Sequence, residues 1–330
     1  MEHASAQTAE QRHIPVLREV SVDLLLPALQ RPGAIYVDGT LGMGGHAEAV
    51  LTRAPHAHLI GIDRDDQALD LARERLERAG HGARITLVHT TYDEIPAVLD
   101  SLDIDAADAI MLDLGLSSFQ IDTAERGFSY AHDAPLDMRM DPDGDDPTAA
   151  DLLRELPEAE IARILHAYGD ERFARRIARH IVTQREQQPI TRSGQLVELL
   201  DAAIPAASRA AGGHPAKRTF QALRIAVNRE LDILADALGG ALEAVAVGGR
   251  VVVESYHSGE DRLVKTAFAR RTRSSAPAGL PVELDEHRPT FTAVVRGALQ
   301  ADEAERALNP RAASVRLRAV ERIRPDSAAH

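Results

Sequence analysis

Ala34-Ile35-Tyr36-Val37-Asp38-Gly39-Thr40-Leu41-Gly42-Met43-Gly44-Gly45-His46 is the stretch whose reading decides the fold. Four mostly apolar residues end on a carboxylate, and four glycines among the next seven residues lead into the helix-prone Ala47-Glu48-Ala49-Val50-Leu51. The pattern predicts a strand, a tight turn and a helix N-terminus. Glycine carries no Cβ, so a ligand can lie against such a turn and use the free N–H groups at the helix start. Gly42-Met43-Gly44-Gly45-His46-Ala47 also fits the G-x-G-x-x-A dinucleotide fingerprint, so the turn alone does not choose the ligand.

Working outward, His58-Leu59-Ile60-Gly61-Ile62-Asp63 is a second short strand closing on an acid 19 residues after Gly44. A carboxylate there suits the two hydroxyls of a ribose. Asp66 to Ala79 places Leu69, Ala72 and Leu76 on one helical face. Arg84-Ile85-Thr86-Leu87-Val88-His89 is a third strand with Tyr92 just past its end. Ala109-Ile110-Met111-Leu112 is a fourth, finishing on Asp113. A fifth, Arg250-Val251-Val252-Val253-Glu254, runs into Ser255-Tyr256-His257-Ser258-Gly259-Glu260-Asp261-Arg262. Strands alternating with helices predict an α/β fold with a parallel sheet and a ligand crevice at the strand carboxyl ends. Asp38, Asp63, Tyr92 and Asp113 each stand at or just past the end of a different strand, which marks that edge as the site. Asp113-Leu114-Gly115-Leu116-Ser117-Ser118-Phe119-Gln120 is a loop of small residues through which a substrate approaches the fourth strand.

Elsewhere, Ser21 is a candidate cap for a short apolar helix from Val22 to Leu26. Residues 126–141 lack helical periodicity and predict a long ordered loop over the site. Asp143-Gly144-Asp145-Asp146-Pro147 reads as a boundary. Thr148 to Ala203 is helical throughout, with Thr148 and Thr191 as candidate caps, Pro157 in a first turn and a stripe of Phe173, Ile177 and Ile181. We therefore expect an inserted helical substrate-recognition domain over 141–214, leaving through Gly212-Gly213-His214-Pro215. The sheet domain takes 1–140 and 215–330. In the helix that starts near Pro215, Phe220, Leu223, Val227, Leu231 and Leu234 share one arc, and Lys217, Gln221, Arg224 and Asn228 form a polar row. That row offers donors to phosphates or base edges, or is an ordinary solvated flank. Phe291 to Val295 and Ser314 to Val320 alternate with period two and predict an antiparallel edge, with a turn at Asn309-Pro310-Arg311.

The 330 residues contain no 18-residue apolar run, and Met1 to Arg12 is polar, so neither a membrane span nor a secretory signal is expected. The absence of cysteine excludes disulfides and thiolate metal sites and fits a cytoplasmic protein. The 14 histidines form no tight ligand grouping, so no metal is expected. A net charge of −13 argues at first against a nucleic-acid partner. Its distribution does not: residues 169–230 hold 11 Lys and Arg against 6 Asp and Glu, and residues 262–324 hold 13 against 7. A chain polarised in this way can offer phosphates a basic face.

Several stretches carry a family resemblance. They are His13-Ile14-Pro15-Val16-Leu17, Asp38 through His46, Gly61-Ile62-Asp63-Arg64-Asp65, Asp113-Leu114-Gly115-Leu116-Ser117-Ser118, Glu125-Arg126-Gly127-Phe128-Ser129, Asp137-Met138-Arg139-Met140-Asp141 and Arg218-Thr219-Phe220-Gln221-Ala222-Leu223-Arg224. In their order and length they resemble the bacterial small-subunit ribosomal RNA cytosine-N4 methyltransferases. The resemblance implies a Rossmann-like class I S-adenosylmethionine-dependent methyltransferase sheet with an inserted all-helical domain. It implies methylation of the exocyclic N4 amine of a cytidine in 16S rRNA, within the small ribosomal subunit near the decoding centre; a homodimer is left open. By that resemblance Gly44, Gly45, His46, Asp63, Tyr92, Asp113 and Gln120 hold S-adenosylmethionine. Where the family tends to read Ser-Phe-His-Ser-Leu-Glu-Asp-Arg, this chain has Tyr256 for the Phe and Gly259 for the Leu.

The residues themselves agree in kind. S-adenosylmethionine has a ribose but no pyrophosphate, and acids at Asp38, Asp63 and Asp113 suit its sulfonium better than they suit the phosphates of NAD. Methyl transfer to an unstacked cytosine amine calls for positioning and a hydrogen-bond acceptor. Asp113 is the candidate nearest the amine, His257 a secondary proton acceptor or a group bonded within its own turn, and Ser117 and Ser118 candidate base contacts. An NAD-dependent dehydrogenase and a non-catalytic RNA-binding assembly factor are the alternative classes.

Overall fold

The computed structural model describes residues 15–209, 214–277 and 284–326. The polar start Met1–Arg12, His13-Ile14 and the expected exit glycines Gly212-Gly213 lie outside the described residues. The chain forms two compact units, Met1–Gly115 with Asp232–His330, and Leu116–Leu231. In chain order the helices are α1 (Arg18–Leu25), α2 (Gly45–Arg53), α3 (Asp66–Arg78), α4 (Ile95–Ser101), α5 (Ser118–Asp122), α6 (Ala149–Glu155), α7 (Glu158–Gly169), α8 (Ala174–Gln187), α9 (Ser193–Ala203), α10 (Ala206–Arg209), α11 (Ala216–Val227), α12 (Glu230–Ala244), α13 (Ser258–Thr272) and α14 (Glu303–Leu308).

The first unit is built on one sheet of β1 (Ile35–Asp38), β2 (His58–Asp63), β3 (Ile85–His89), β4 (Ala107–Asp113), β5 (Val245–Ser255), β6 (Phe291–Ala293) and β7 (Arg316–Arg322). Their order is β3-β2-β1-β4-β5-β7-β6. The first five strands run parallel, and β7 is antiparallel to β5 and β6. Chain order reverses between β1 and β4, and in open α/β sheets the crevice outside the strand carboxyl ends at such a point is where ligands bind. Alternation along each strand sends side chains to opposite faces. Tyr36, Leu59, Met111 and Val252 bury with α1, α2 and α3 on one face, and Val37, Ile60, Ile110 and Val253 with α4, α12 and α13 on the other.

Two expectations for this unit shift. The fifth strand begins at Val245 rather than Arg250, with an irregularity in its pairing between Ala107 and Ala109. Ser21 is not a cap: α1 begins at Arg18, so Ser21 lies inside the helix and is buried. The edge hairpin of β6 and β7 falls where period two placed it.

The second unit is wider than the expected 141–214. Phe128, Leu136, Met138 and Met140, from the segment read as a loop, bury in the same helical core as Ile164, Ile177 and Ile181. So do Phe220, Leu223 and Val227 of α11, which therefore belongs to the helical unit and not to the sheet. Thr148 caps α6 in a reciprocal box with Asp151. At α9 the cap position falls on Arg192, one residue beyond Thr191. The expected single helix from Pro215 to Leu234 is broken after Val227, where Arg229 takes the left-handed region at φ 51°.

Asn228 causes that break and explains the ordered segment. It is 1% exposed. Its Oδ1 accepts from the Met140 amide at 2.7 Å, and its Nδ2 donates to the carbonyls of Met138 at 2.7 Å and Arg224 at 2.9 Å. A side chain so placed serves a stretch of backbone that no helix or strand satisfies. We expect Asn228→Ala to lower the urea-unfolding free energy of the full chain by about 3 kcal/mol, from stranded buried backbone groups. Unchanged stability would show that Asn228 is a surface group instead.

Candidate active site

The acid that ends β2 holds the glycine turn in place. Asp63 accepts from the Gly42 amide at 2.7 Å and from the Asp65 amide at 2.9 Å. Asp38, ending β1, accepts from the Thr40 amide at 3.2 Å and from the Tyr36 hydroxyl at 3.1 Å. Burial pushes both carboxyls up to about 6, against the pull of these donors. Gly44 caps α2 in the left-handed region at φ 76°, which glycine adopts without strain. A Cβ on Gly45 would lie 2.5 Å from Pro15 Cγ, so the lead-in segment closes against the turn only because that residue is glycine. Tyr92 stands half-buried beyond the end of β3, where a Cβ on Gly39 would lie 3.0 Å from its own Cβ.

Asp113 and Glu254 are paired neighbours at the ends of β4 and β5. The Tyr256 hydroxyl lies between them, 2.8 Å from Asp113 Oδ1 and 3.2 Å from Glu254 Oε2. Burial, reinforced by the two carboxylates, holds the Tyr256 pKa well above its ordinary value, so the phenol keeps its proton and acts as a donor. Glu254 is fully buried and accepts from Ser21 Oγ at 2.5 Å. Burial first, and then the Asp113 charge, raises its pKa. Asp113 keeps 27% of its side chain exposed, and its backbone amide donates to the Thr40 hydroxyl at 2.6 Å.

His46, in the first turn of α2, completes the cluster. Its Nε2 is 3.6 Å from Asp113 Oδ2 and 4.0 Å from Glu254 Oε1, and among the described residues neither buried ring nitrogen has a hydrogen-bond partner. Burial by itself would lower the imidazole pKa. Asp113, Glu254 and Asp38 outweigh it and raise it to about 9. His46, Asp113 and Glu254 each offer one ligand atom within 4.8 Å of the others, a spacing that a metal ion would need. A metal would have to displace the proton that the raised pKa favours on this imidazole.

Asp38, His46, Asp63 and Asp113 are thus placed at one edge of one sheet. Ser117, Ser118 and Gln120 lie in the second unit, where Ser117 caps α5 and Gln120 closes a reciprocal box with it, its Oε1 accepting from the Ser117 amide at 3.1 Å. His257 caps α13: Nδ1 accepts from the Gly259 amide at 3.1 Å, and Nε2 lies 3.2 Å from Glu260 Oε1. With Nδ1 engaged in the cap, His257 is held within its own turn, and its amide partner Gly259 needs no side chain for this. The polar row of α11 is not an open flank. Gln221 donates to the Tyr168 carbonyl, Arg224 makes a two-pronged pair with Glu230 at 2.8 Å, and Asn228 is interior; Lys217 alone of the four is exposed. Sequence reasoning passed over Ser21, Glu254 and the Tyr256 hydroxyl. Glu254 had a legible signal, an acid ending an apolar strand, but Ser21 reaches Glu254 across 233 positions of sequence and had none.

We expect nitrogen-edited NMR to find the His46 ring titrating near pH 9, and Glu254→Gln to lower that value by removing one of the raising charges. The sign for stability follows from a folded value above the unfolded one: the imidazolium's contribution is complete below about pH 6.5 and is lost as pH rises through about 9. A ring titrating near 6.5 in the wild type would contradict the cluster.

Comparison with known proteins extends the geometry. The model of the MraW methylase family matches residues 10–323. A protein of Leifsonia xyli subsp. xyli named "Ribosomal RNA small subunit methyltransferase H" is 59% identical over 94% of this chain and 95% of its own. One of the same name from Nocardioides sp. is 58% identical over 96% of this chain and 98% of its own. A solved rRNA methylase from Streptococcus thermophilus is similar at 12% identity and a TM-score of 0.44, over 94% of this chain and 99% of that one. With a sheet of this order and a family match over nearly its whole length, the chain belongs to the MraW methylase family.

Proposed function

We propose that this methyltransferase moves the methyl group of S-adenosylmethionine to the exocyclic N4 amine of a cytidine in 16S ribosomal RNA, near the decoding centre of the small subunit. The names of its relatives support a small-subunit rRNA substrate, and the sequence resemblance supports the cytidine N4. The observation that carries the reading is Asp113, a carboxylate open on one side and held on the other by a phenol that keeps its proton.

The residues present fit the donor. S-adenosylmethionine brings a sulfonium, an ammonium, a carboxylate and a ribose. Asp38 and Asp113 suit the cationic groups, and Asp63 the ribose hydroxyls. The two partnerless nitrogens of His46, at a helix N-terminus where anions are favoured, suit the carboxylate. Bound there, the sulfonium supplies a methyl carbon with a thioether leaving group.

The chain's own work is positioning and proton removal. The cytosine amine is a weak nucleophile because its lone pair is spread into the ring. Asp113 accepts a hydrogen bond from one N4–H and aligns the remaining lone pair. Asp113 takes the N4 proton that the amine gives up on methylation; the methyl would come from the sulfonium, whose C–S bonding pair would stay on the thioether sulfur. Tyr256 holds Asp113 in position through its Oδ1. His257, engaged as a helix cap, is left out of the proton path.

Nucleoside mass spectrometry of small subunits from cells lacking this protein, before and after incubation with the enzyme and cofactor, is expected to show N4-methylcytidine appearing only on incubation. A different methylated nucleoside would replace the cytidine assignment, and no new methylation would end the reading. In the same assay, at saturating cofactor, Asp113→Asn should lower kcat by at least about a hundredfold, as expected for a lost proton acceptor. Tyr256→Phe should lower kcat about tenfold, one charge-assisted hydrogen bond. Full turnover in Asp113→Asn would remove its catalytic part.

A further inference from the structure

α8 carries an exposed basic face. Arg172, just before the helix, and Arg175, Arg176 and Arg179 within it are all exposed. At 100° per residue the three within the helix fall within an arc of about 100° and span about 6 Å along the axis. Ala174, Ile177, Ala178 and Ile181 occupy the opposite side and are buried. The arc ends where Glu186 returns an acid to that face.

Most other arginines of the helical unit are committed. Arg139 pairs with Asp137, Arg154 with Asp151 and Glu155, Arg163 with Glu160 and Arg192 with Asp133, while Arg185 donates to the carbonyls of Leu153 and Leu156. Among the described residues, Arg175 and Arg176 have no acidic partner. Arg172 lies over the Phe173 ring, and Arg179 reaches Glu158 only at 3.8 Å with 75% of its side chain exposed. The stripe costs the free protein stability twice over. Arg179 with Arg175 and Arg176 are like charges at helical spacings of four and three, which repel. They also sit at a helix N-terminus, where cations are disfavoured. A chain with a net charge of −13 has acids to spare for pairing them and does not.

We infer that this stripe is a phosphate-binding face by which the helical unit grips the backbone of the RNA. The inference rests on the rRNA reading above and adds to it a surface, replacing the α11 row that the fold holds inside. Guanidinium groups present forked donors that match phosphate oxygens two at a time, and an RNA strand supplies anions in a row as the stripe supplies cations. An acidic protein partner is the competing occupant.

The test compares the wild type with Arg175→Ala/Arg176→Ala/Arg179→Ala and with the corresponding triple lysine variant, in RNA-binding titrations over a salt series with 16S rRNA, in cofactor binding and in methylation kinetics. The alanine variant is expected to bind RNA at least about tenfold more weakly. The slope of log affinity against log salt should be shallower by about 2, since each of three phosphates no longer neutralised removes about 0.7. KM for RNA should rise while kcat at saturating RNA and cofactor affinity stay unchanged, and the lysine variant should recover most of the slope. An unchanged slope and KM in the alanine variant overturn the stripe while leaving the methylation reading intact, and point to the acidic partner. A loss that the lysine variant does not recover, or that extends to cofactor binding, overturns it as a structural effect. If the wild type binds RNA with a slope that the variant loses, yet methylates none, the stripe stands and the reaction falls.

Discussion

Two carboxylates brought side by side at the ends of neighbouring strands are the constraint to which the rest of the sheet edge answers. The β4–β5 register fixes Asp113 opposite Glu254, and with Glu254 wholly buried their mutual repulsion is not relieved by water. Three groups from three other places in the chain offset it. Ser21 of α1 and Tyr256 beyond β5 supply hydroxyl donors, and His46 of α2 supplies a positive charge. The imidazolium sits at a helix N-terminus, where a cation is unfavourable, and it is held there because the carboxylates outweigh both that penalty and its burial. The placement of α1 and α2 against the sheet is therefore an electrostatic matter as well as an apolar one.

The glycine turn depends on the same edge. Asp63 ties the Gly42 amide to the end of β2, and Thr40 accepts from the Asp113 amide, so the turn after β1 is fastened on both sides by polar groups of its neighbouring strands. Its backbone is thereby set before any ligand arrives, which lowers the ordering cost of binding. An acid at each strand end thus has two uses, to present charge to the crevice and to fix the loop beside it.

How much of this was legible in the sequence depended on range. The strands were legible because each alternates or runs apolar over a few residues and then stops at a polar one, and the parallel direction of the first five follows from alternation with helices; their order, and the early start of β5 at Val245, were not. Asp38, Asp63 and Asp113 were legible for the same reason. Local signals failed where a side chain reached across the chain. Ser21 looked like a cap because Ser before an apolar run is one, yet its hydroxyl is drawn to Glu254. Asn228 looked like a surface donor because it falls on a polar row, yet it ends the helix to serve the Met138–Met140 backbone, 88 and 90 positions away. The domain boundary moved for a related reason: Phe128, Leu136 and Met140 carry no helical period, and only a shared core assigns them to the helices.

Tyr256 brings these threads to one atom. A Phe at this position would leave Asp113 and Glu254 with no shared donor. A phenol has a single proton, so it donates fully to only one of two acceptors at a time. The distances indicate which: 2.8 Å to Asp113 against 3.2 Å to Glu254. Burial makes Glu254 the readier of the two to hold a proton. The phenol donates to Asp113 Oδ1 at the shorter distance, and Ser21 donates to the other oxygen of Glu254. Of the two carboxylates Asp113 alone has an exposed face, so it is the one that a ligand can meet.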